Sequence, residues 1–251
     1  MNKITLNRIN FFDYVYVIYK YRKPTEEELK FAARNNILNI YLSRGVECGI
    51  KKVIPSAFGA AKHMAEVHID NELGNRLSNF LETEDEFKQW EKNIPEITPK
   101  ELDQYQNSYV NSDLSAVNRE ILENKTILTY GQELFHGGRW DGLVGEIKIT
   151  TRPLSTTFCP QVALREADHL DKAYNEERID ICVLKIMHDD IHAYAFGNEG
   201  NHGNEKEVLL ENNLIIKKIS EEKFCDDYKC YVHPNKEKII PVYVVVLEVR
   251  K

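Results

Sequence analysis

The chain has 251 residues, 42% hydrophobic and 29% charged, with 33 basic against 40 acidic side chains and a formal charge of −7. That content supplies a real core and excludes disorder of the whole chain. The acidic balance excludes nucleic-acid binding through a broad basic face, and the length allows one large domain or two small ones.

Residues 1–20 are rich in aromatic and β-branched types and read as a strand or the start of a helix. Thr25-Glu26-Glu27-Glu28 is a capping box, which predicts a helix from there to about Asn35. Ser56 to Leu81 reads as helical, with Gly59 and Gly74 as weak points. Thr83-Glu84-Asp85-Glu86 and Thr98-Pro99-Lys100-Glu101 are two further capping boxes, the second with proline where its missing N–H costs nothing. Ser112 starts another helix, with Leu114, Val117 and Ile121 on one face.

The texture then changes. Thr126–Tyr130, Leu134–His136, Val144–Thr150, Ile179–Met187, His192–Phe196, Val208–Leu210, Leu214–Ile219 and Ile240–Val249 read as strands. One helix, about Gln161 to Tyr174, interrupts them. Helices followed by strands predict an α+β chain. The expected division is a mostly helical region, 1–104, and a β-rich region, 105–251, with no flexible linker between them.

The five cysteines, Cys48, Cys159, Cys182, Cys225 and Cys230, are odd in number and irregularly spaced, and read as reduced thiols. No His or Cys spacing marks a metal site, and His192 and His202 read as surface residues of a strand and a loop. Phe11 to Tyr19 is interrupted by Asp13 and too short to span a bilayer. No leader with a cleavage site is visible, so the expected location is cytoplasmic.

Three stretches carry candidate chemistry. In Leu134-Phe135-His136-Gly137-Gly138-Arg139-Trp140 a strand runs into two glycines, which let the backbone approach a flat or anionic ligand. His136 and Arg139 would reach ribose hydroxyls or phosphate oxygens. The ordinary alternative is a tight turn. In Leu154-Ser155-Thr156-Thr157 hydroxyls end a strand before a helix containing Val162-Ala163-Leu164. They would hold a sugar or a neighbouring carboxylate, or merely cap that helix. In Asn204-Glu205-Lys206-Glu207-Val208-Leu209-Leu210 two carboxylates lead into an apolar strand. In extended backbone Glu205 and Glu207 would share a face, roughly 6.5–7 Å apart. Glu82-x-Glu84 has the same spacing in an acidic run, so such a pair by itself also fits a solvated surface.

Taken in order, these stretches resemble the mono-ADP-ribosyltransferase superfamily, in its Arg-Ser-Glu branch. There a strand carries an aromatic-Arg-Gly segment, a later strand carries Ser-Thr-Ser before an Ala-Leu helix, and a last strand opens with Glu-x-Glu. Here the counterparts are Phe135-His136-Gly137, Ser155-Thr156-Thr157 with Val162-Ala163-Leu164, and Glu205-Lys206-Glu207. Asp113 to Leu122 is similar to the helix ahead of the family's first strand. The resemblance covers roughly residues 105–250. His136 departs from the branch's arginine and is closer to the poly-ADP-ribose polymerase and diphtheria-toxin branch.

The resemblance implies a split antiparallel sheet core and transfer of ADP-ribose from NAD⁺, consumed as substrate without a metal. The acceptor is a protein, by implication at an arginine. Glu207 would stabilise the cationic sugar and Glu205 would prepare the acceptor. His136, Gly137, Gly138, Arg139, Ser155, Thr156 and Thr157 would bind NAD⁺, with His136 or Arg139 replacing the family arginine. The loop holding Asn198, Glu199, His202 and Asn204 would read the target. An effector or toxin of this kind would act after leaderless export into a host cell. NAD⁺ glycohydrolysis, modification of a nucleic acid or small molecule, and a non-catalytic interaction module remain as alternatives.

Overall fold

The computed structural model describes residues 3–197, 206–232 and 236–251. It has two compact units. In the smaller, residues 12–56, strand β2 (Tyr16–Arg22) pairs antiparallel with β3 (Val46–Ile54). Between them come helices α1 (Glu26–Arg34) and α2 (Leu38–Arg44). The expected Thr25 capping box is formed. Its Glu28 also takes two bonds from Arg22, at 2.8 and 2.6 Å. Those bonds and the Thr25 amide lower its carboxyl to about 2.

The larger unit, residues 3–11 and 57–251, contains the helices that sequence texture had grouped with the N-terminal region. Compactness therefore does not follow the helix-to-strand change near residue 104. Strand β1 (Ile4–Leu6) comes first. Helices α3 (Ala57–Val67), α4 (Asn71–Thr83), α5 (Asp85–Lys92), α6 (Lys100–Ser108) and α7 (Leu114–Asn124) follow. Then come β4 (Thr126–Leu128), β5 (Glu133–Gly137), β6 (Ile147–Ile149) and β7 (Leu154–Thr157). After α8 (Pro160–Asp168) and α9 (Lys172–Glu176) the chain is β: β8 (Ile179–Ile186), β9 (Ile191–Ala195), β10 (Glu207–Leu210), β11 (Ile215–Val232) and β12 (Lys236–Arg250). The α+β expectation holds.

The helical stretch expected over Ser56–Leu81 is two helices. The break falls at His68 (φ 64), not at either glycine. Asp70 causes it, because its carboxylate accepts the Leu73 amide at 3.0 Å and starts a new helix. Thr83 does not cap α5 as the second box predicts. It ends α4, and its hydroxyl donates back to the Asn79 and Phe80 carbonyls. The helix expected to begin at Ser112 is capped by Asp113.

The sheet order is β1-β4-β9-β10-β7-β5-β8-β12-β11-β6. The ladders are antiparallel except β1 with β4 and β8 with β12. One joint is nearly open. Strands β7 and β5 share the single pair Phe135↔Thr157, whereas β7 runs beside β10 over four residues and β5 beside β8 over five. The sheet is split there, and a cleft opens at the split.

Candidate functional site

The cleft measures about 420 Å³. Its walls come from α6, β5, the end of the β6–β7 connection, β7, α8, the turn after α8, and the first residue of β10.

Glu207 opens β10 and is 9% exposed. In the β10–β7 ladder it lies opposite Thr157, and Leu209 lies opposite Ser155. Alternation along both strands therefore puts Ser155, Thr157, Glu207 and Leu209 on one face. The Ser155 hydroxyl donates to Glu207 Oε1 at 2.6 Å. From α6, Gln106 Nε2 donates to Oε2 at 3.3 Å. Thr156 faces the other way and donates its hydroxyl to the Val208 carbonyl, locking the two strands. Thr157 Oγ1 accepts the Cys159 amide at 3.1 Å, turning the chain into α8.

His136 closes the opposite lip. Its Nδ1 lies 2.7 Å from the Ser155 carbonyl. A carbonyl only accepts, so Nδ1 carries the proton and a neutral ring keeps Nε2 as an acceptor. Burial pushes the imidazole below its ordinary value. The Ser155 carbonyl opposes this, while Lys172 and Arg152 add to it. This side-chain bond spans the split that the backbone ladder nearly leaves open.

Gly137 is glycine for a steric reason. A Cβ there would meet the Ala163 carbonyl of α8 at 1.7 Å. The helix lies directly on the strand, and its residues Val162, Ala163 and Glu166 reach the cleft.

The structure thus brings together His136, Gly137, Ser155, Thr156, Thr157 and Glu207. It does not bring Gly138 or Arg139 to the cleft. Gly138 turns the chain with φ 142. Arg139 then donates to Asp141 at 2.6 Å and to the Glu176 carbonyl at 3.0 Å. The cations lining the cleft are Arg152, just before β7, and Lys172, at the start of α9. Lys172 arrives because the helix expected over Gln161–Tyr174 breaks at Leu170 (φ 56) and Asp171 (φ 62). Motif reading missed Arg152, Lys172 and Gln106. A cation three residues before Ser155 was the one available signal.

Glu205, Asn198, Glu199, His202 and Asn204 lie outside the described residues. Lys206 is buried with φ 49, so the extended run begins only at Glu207, and the reading of Glu205-x-Glu207 as one straight strand does not hold at Lys206. His192, expected on the surface, is buried beside Glu211, which also receives Lys251 at 2.9 Å. Away from the cleft, His68, Cys225 and Asp227 hold ligand-type atoms within 4.8 Å of one another. His68 Nε2 and Cys225 Sγ lie 3.3 Å apart, within hydrogen-bond distance. Among the described residues no helix is long and apolar enough to cross a membrane.

No family model and no curated protein matches the chain. It is similar to solved structures of ADP-ribosylating toxins. C3larvin, an ADP-ribosyltransferase from Paenibacillus larvae, shares 14% identity over 67% of this chain and 94% of that one, with a TM-score of 0.41. Plx2a, an ADP-ribosyltransferase toxin from the same organism, shares 10% over 71% and 96%, at 0.44. BECa, an ADP-ribosylating toxin of a binary enterotoxin of C. perfringens solved with NADH, shares 12% over 69% and 48%, also at 0.44.

Proposed function

We propose that the chain is a mono-ADP-ribosyltransferase that moves ADP-ribose from NAD⁺ to an arginine of a target protein and releases nicotinamide. One observation carries this reading: the Glu207 carboxylate, oriented by Ser155 at 2.6 Å, stands in the wall of a cleft whose other lip is His136. When the glycosidic bond parts, its electron pair leaves with the nicotinamide ring nitrogen and positive charge grows on the sugar. A preorganised carboxylate next to that carbon stabilises the charge. An acceptor nitrogen then bonds to the carbon and loses a proton.

The roles follow from the chemistry each group offers. His136, as a neutral acceptor, would take a ribose hydroxyl. The Gly137 backbone would pair with the nicotinamide amide. Arg152 and Lys172, rather than Arg139, would face the pyrophosphate. Thr156 and Thr157 would hold β7 against β10 and α8, and so act through Ser155 and Glu207. Glu205 would pair with the acceptor guanidinium in two-pronged fashion, with Asn198, Glu199, His202 and Asn204 around the target. These last assignments rest on sequence.

The test is release of nicotinamide from NAD⁺. Glu207→Gln is expected to abolish it while leaving the melting temperature unchanged, and full release by that variant overturns the reading. Glu205→Gln is expected to spare slow NAD⁺ hydrolysis and stop transfer; equal loss of both removes the division of roles. Mass spectrometry of extract proteins incubated with NAD⁺ and the enzyme should find ADP-ribose on arginine. Label recovered only as free ADP-ribose would make the chain a glycohydrolase.

A further inference from the structure

We infer that Gln106 is a positioning residue for Glu207, a donor that helps to set the plane of its carboxylate; this rests on the reading of Glu207 above. Gln106 belongs to α6, outside the three motifs. Its helix is pinned from three sides. Leu102 and Tyr105 are buried in a core cluster with Val117 and Ile121 of α7 and with Tyr194 and Leu209. Leu209 lies on β10, two residues from Glu207 and on the same face. The Leu102 amide donates to Glu120 at 2.9 Å, fixing the helix start against α7. The Tyr105 hydroxyl reaches the Pro153 carbonyl, just before β7, at 3.5 Å. With Tyr105 seated in the core, the next residue is turned about 100° around the helix. That turn sends Gln106 to the cleft, where Nε2 meets Glu207 Oε2 at 3.3 Å.

The geometry divides the work. A single hydroxyl on Oε1 leaves the carboxylate able to rotate about its last torsion, which is soft. A donor on the other oxygen, mounted on a different element, restrains that torsion. These two donors are neutral, so neither cancels the charge. Gln106 thereby helps to hold the Glu207 carboxylate in the wall of the cavity. It acts through Glu207.

The experiment compares Gln106→Met and Gln106→Glu with the native chain. Both replacements keep an unbranched side chain of similar length and similar helix propensity. Among the described residues the other titratable groups facing the cleft, Tyr105, His136, Arg152, Glu166, His169, Lys172 and Glu207, are the same in all three proteins. Gln106→Met adds no titrating group, so a difference in its pH profile reports the lost donor, while Gln106→Glu adds one carboxylate of its own. Losing a donor to a carboxylate raises its titration, and placing a second carboxylate there raises it further. Gln106→Met should lower kcat for nicotinamide release by about tenfold, with KM for NAD⁺ within about twofold. The acid limb of kcat should move to higher pH in Gln106→Met and further in Gln106→Glu, with native melting temperatures. An unmoved acid limb in both variants, or a loss confined to KM, overturns the inference. Glu207→Gln run alongside separates the two failures. If it still releases nicotinamide, the functional reading falls. If it is inactive while Gln106→Met matches the native chain, only the positioning role falls.

Discussion

Two carboxylate sites lie in the same sheet and are held by different kinds of partner. Ahead of β8, Arg178 donates to Asp180 at 2.5 Å and to Glu221 at 3.0 Å. Lys218 of β11 is bonded to Glu221 and also reaches the Trp140 and Gly142 carbonyls at 3.1 and 3.0 Å. Asp180 in turn accepts the Trp140 amide at 2.7 Å. Each carboxylate there faces a cation, and the cluster is spent on holding the segment after Gly138. Across the split, Glu207 is oriented by a hydroxyl and an amide beside an open cavity. The contrast teaches how two kinds of partner treat an acid. Ion pairing uses the charge up inside the protein, whereas neutral donors aim it at whatever enters.

That contrast breaks most sharply by swapping the measurements. Glu207→Gln should cost about 10²–10³ in turnover, the scale for losing a preorganised charge partner, with little change in melting. Asp180→Ala should do the reverse in kind. It removes one of the two carboxylates that hold Arg178 and takes the acceptor from the Trp140 amide, so about 1–3 kcal/mol of stability should be lost in denaturant titration. Burial already pushes the Asp180 carboxyl up, and Arg178 offsets that only in part. A stable Asp180→Ala or an unstable Glu207→Gln would show that the two sites are not divided this way.

The next effect tests how tightly the cleft wall is built. Gly137→Ala must displace α8, because the added carbon would sit 1.7 Å from a backbone oxygen. An overpacking cost of about 1–3 kcal/mol and weaker NAD⁺ binding are expected, read by thermal melting and by KM. Gly74→Ala in α4 is the control: nothing lies within 4 Å of the new methyl. It should stabilise by about 0.5–1 kcal/mol.

What could be read beforehand followed the same physical line. Ser155 and Glu207 sit in short β-branched strands whose alternation sets the facing, so their meeting was legible from spacing and order. Gln106 was not, because a glutamine on a polar helix looks the same whether it faces solvent or a carboxylate. The two arginines show the limit of sequence distance. Arg139 and Arg152 each lie three residues from a motif residue, His136 and Ser155. Gly138 turns the first away and Asp141 captures it, while the second runs straight into β7. Strand β11 reaches Val232 rather than Ile219 because its outer half is paired through backbone bonds while charged side chains face outward. Such a segment shows no hydrophobic alternation. The break at His68–Asp70 was hidden for a related reason: the glycines drew attention as weak points, while an aspartate made the cap.

The smallest effects lie in pH, and they separate the two regions by window. His136 titrates below its ordinary 6.5 in the folded chain, chiefly because it is buried. As pH falls through 6.5 the unfolded chain therefore takes the proton first, and stability declines until the folded ring also protonates. Protonation of the folded ring removes the Nε2 acceptor, so nicotinamide release should fall at the lower end of that range, where the decline in stability levels off. Glu221 has the opposite sign: Arg178 hydrogen bonding, with Lys218, holds it at about 2 against an ordinary 4.5. Its contribution is present above 4.5 and is lost as pH drops towards 2. Melting temperatures of the native chain, His136→Gln and Glu221→Gln, scanned over pH, should part from one another in these two windows. His136→Gln should flatten the decline that begins near 6.5 while keeping an acceptor oxygen, and Glu221→Gln should flatten only the later one. A loss of activity that begins only in the lower window would assign the acid sensitivity of turnover to the ion cluster instead of the cleft.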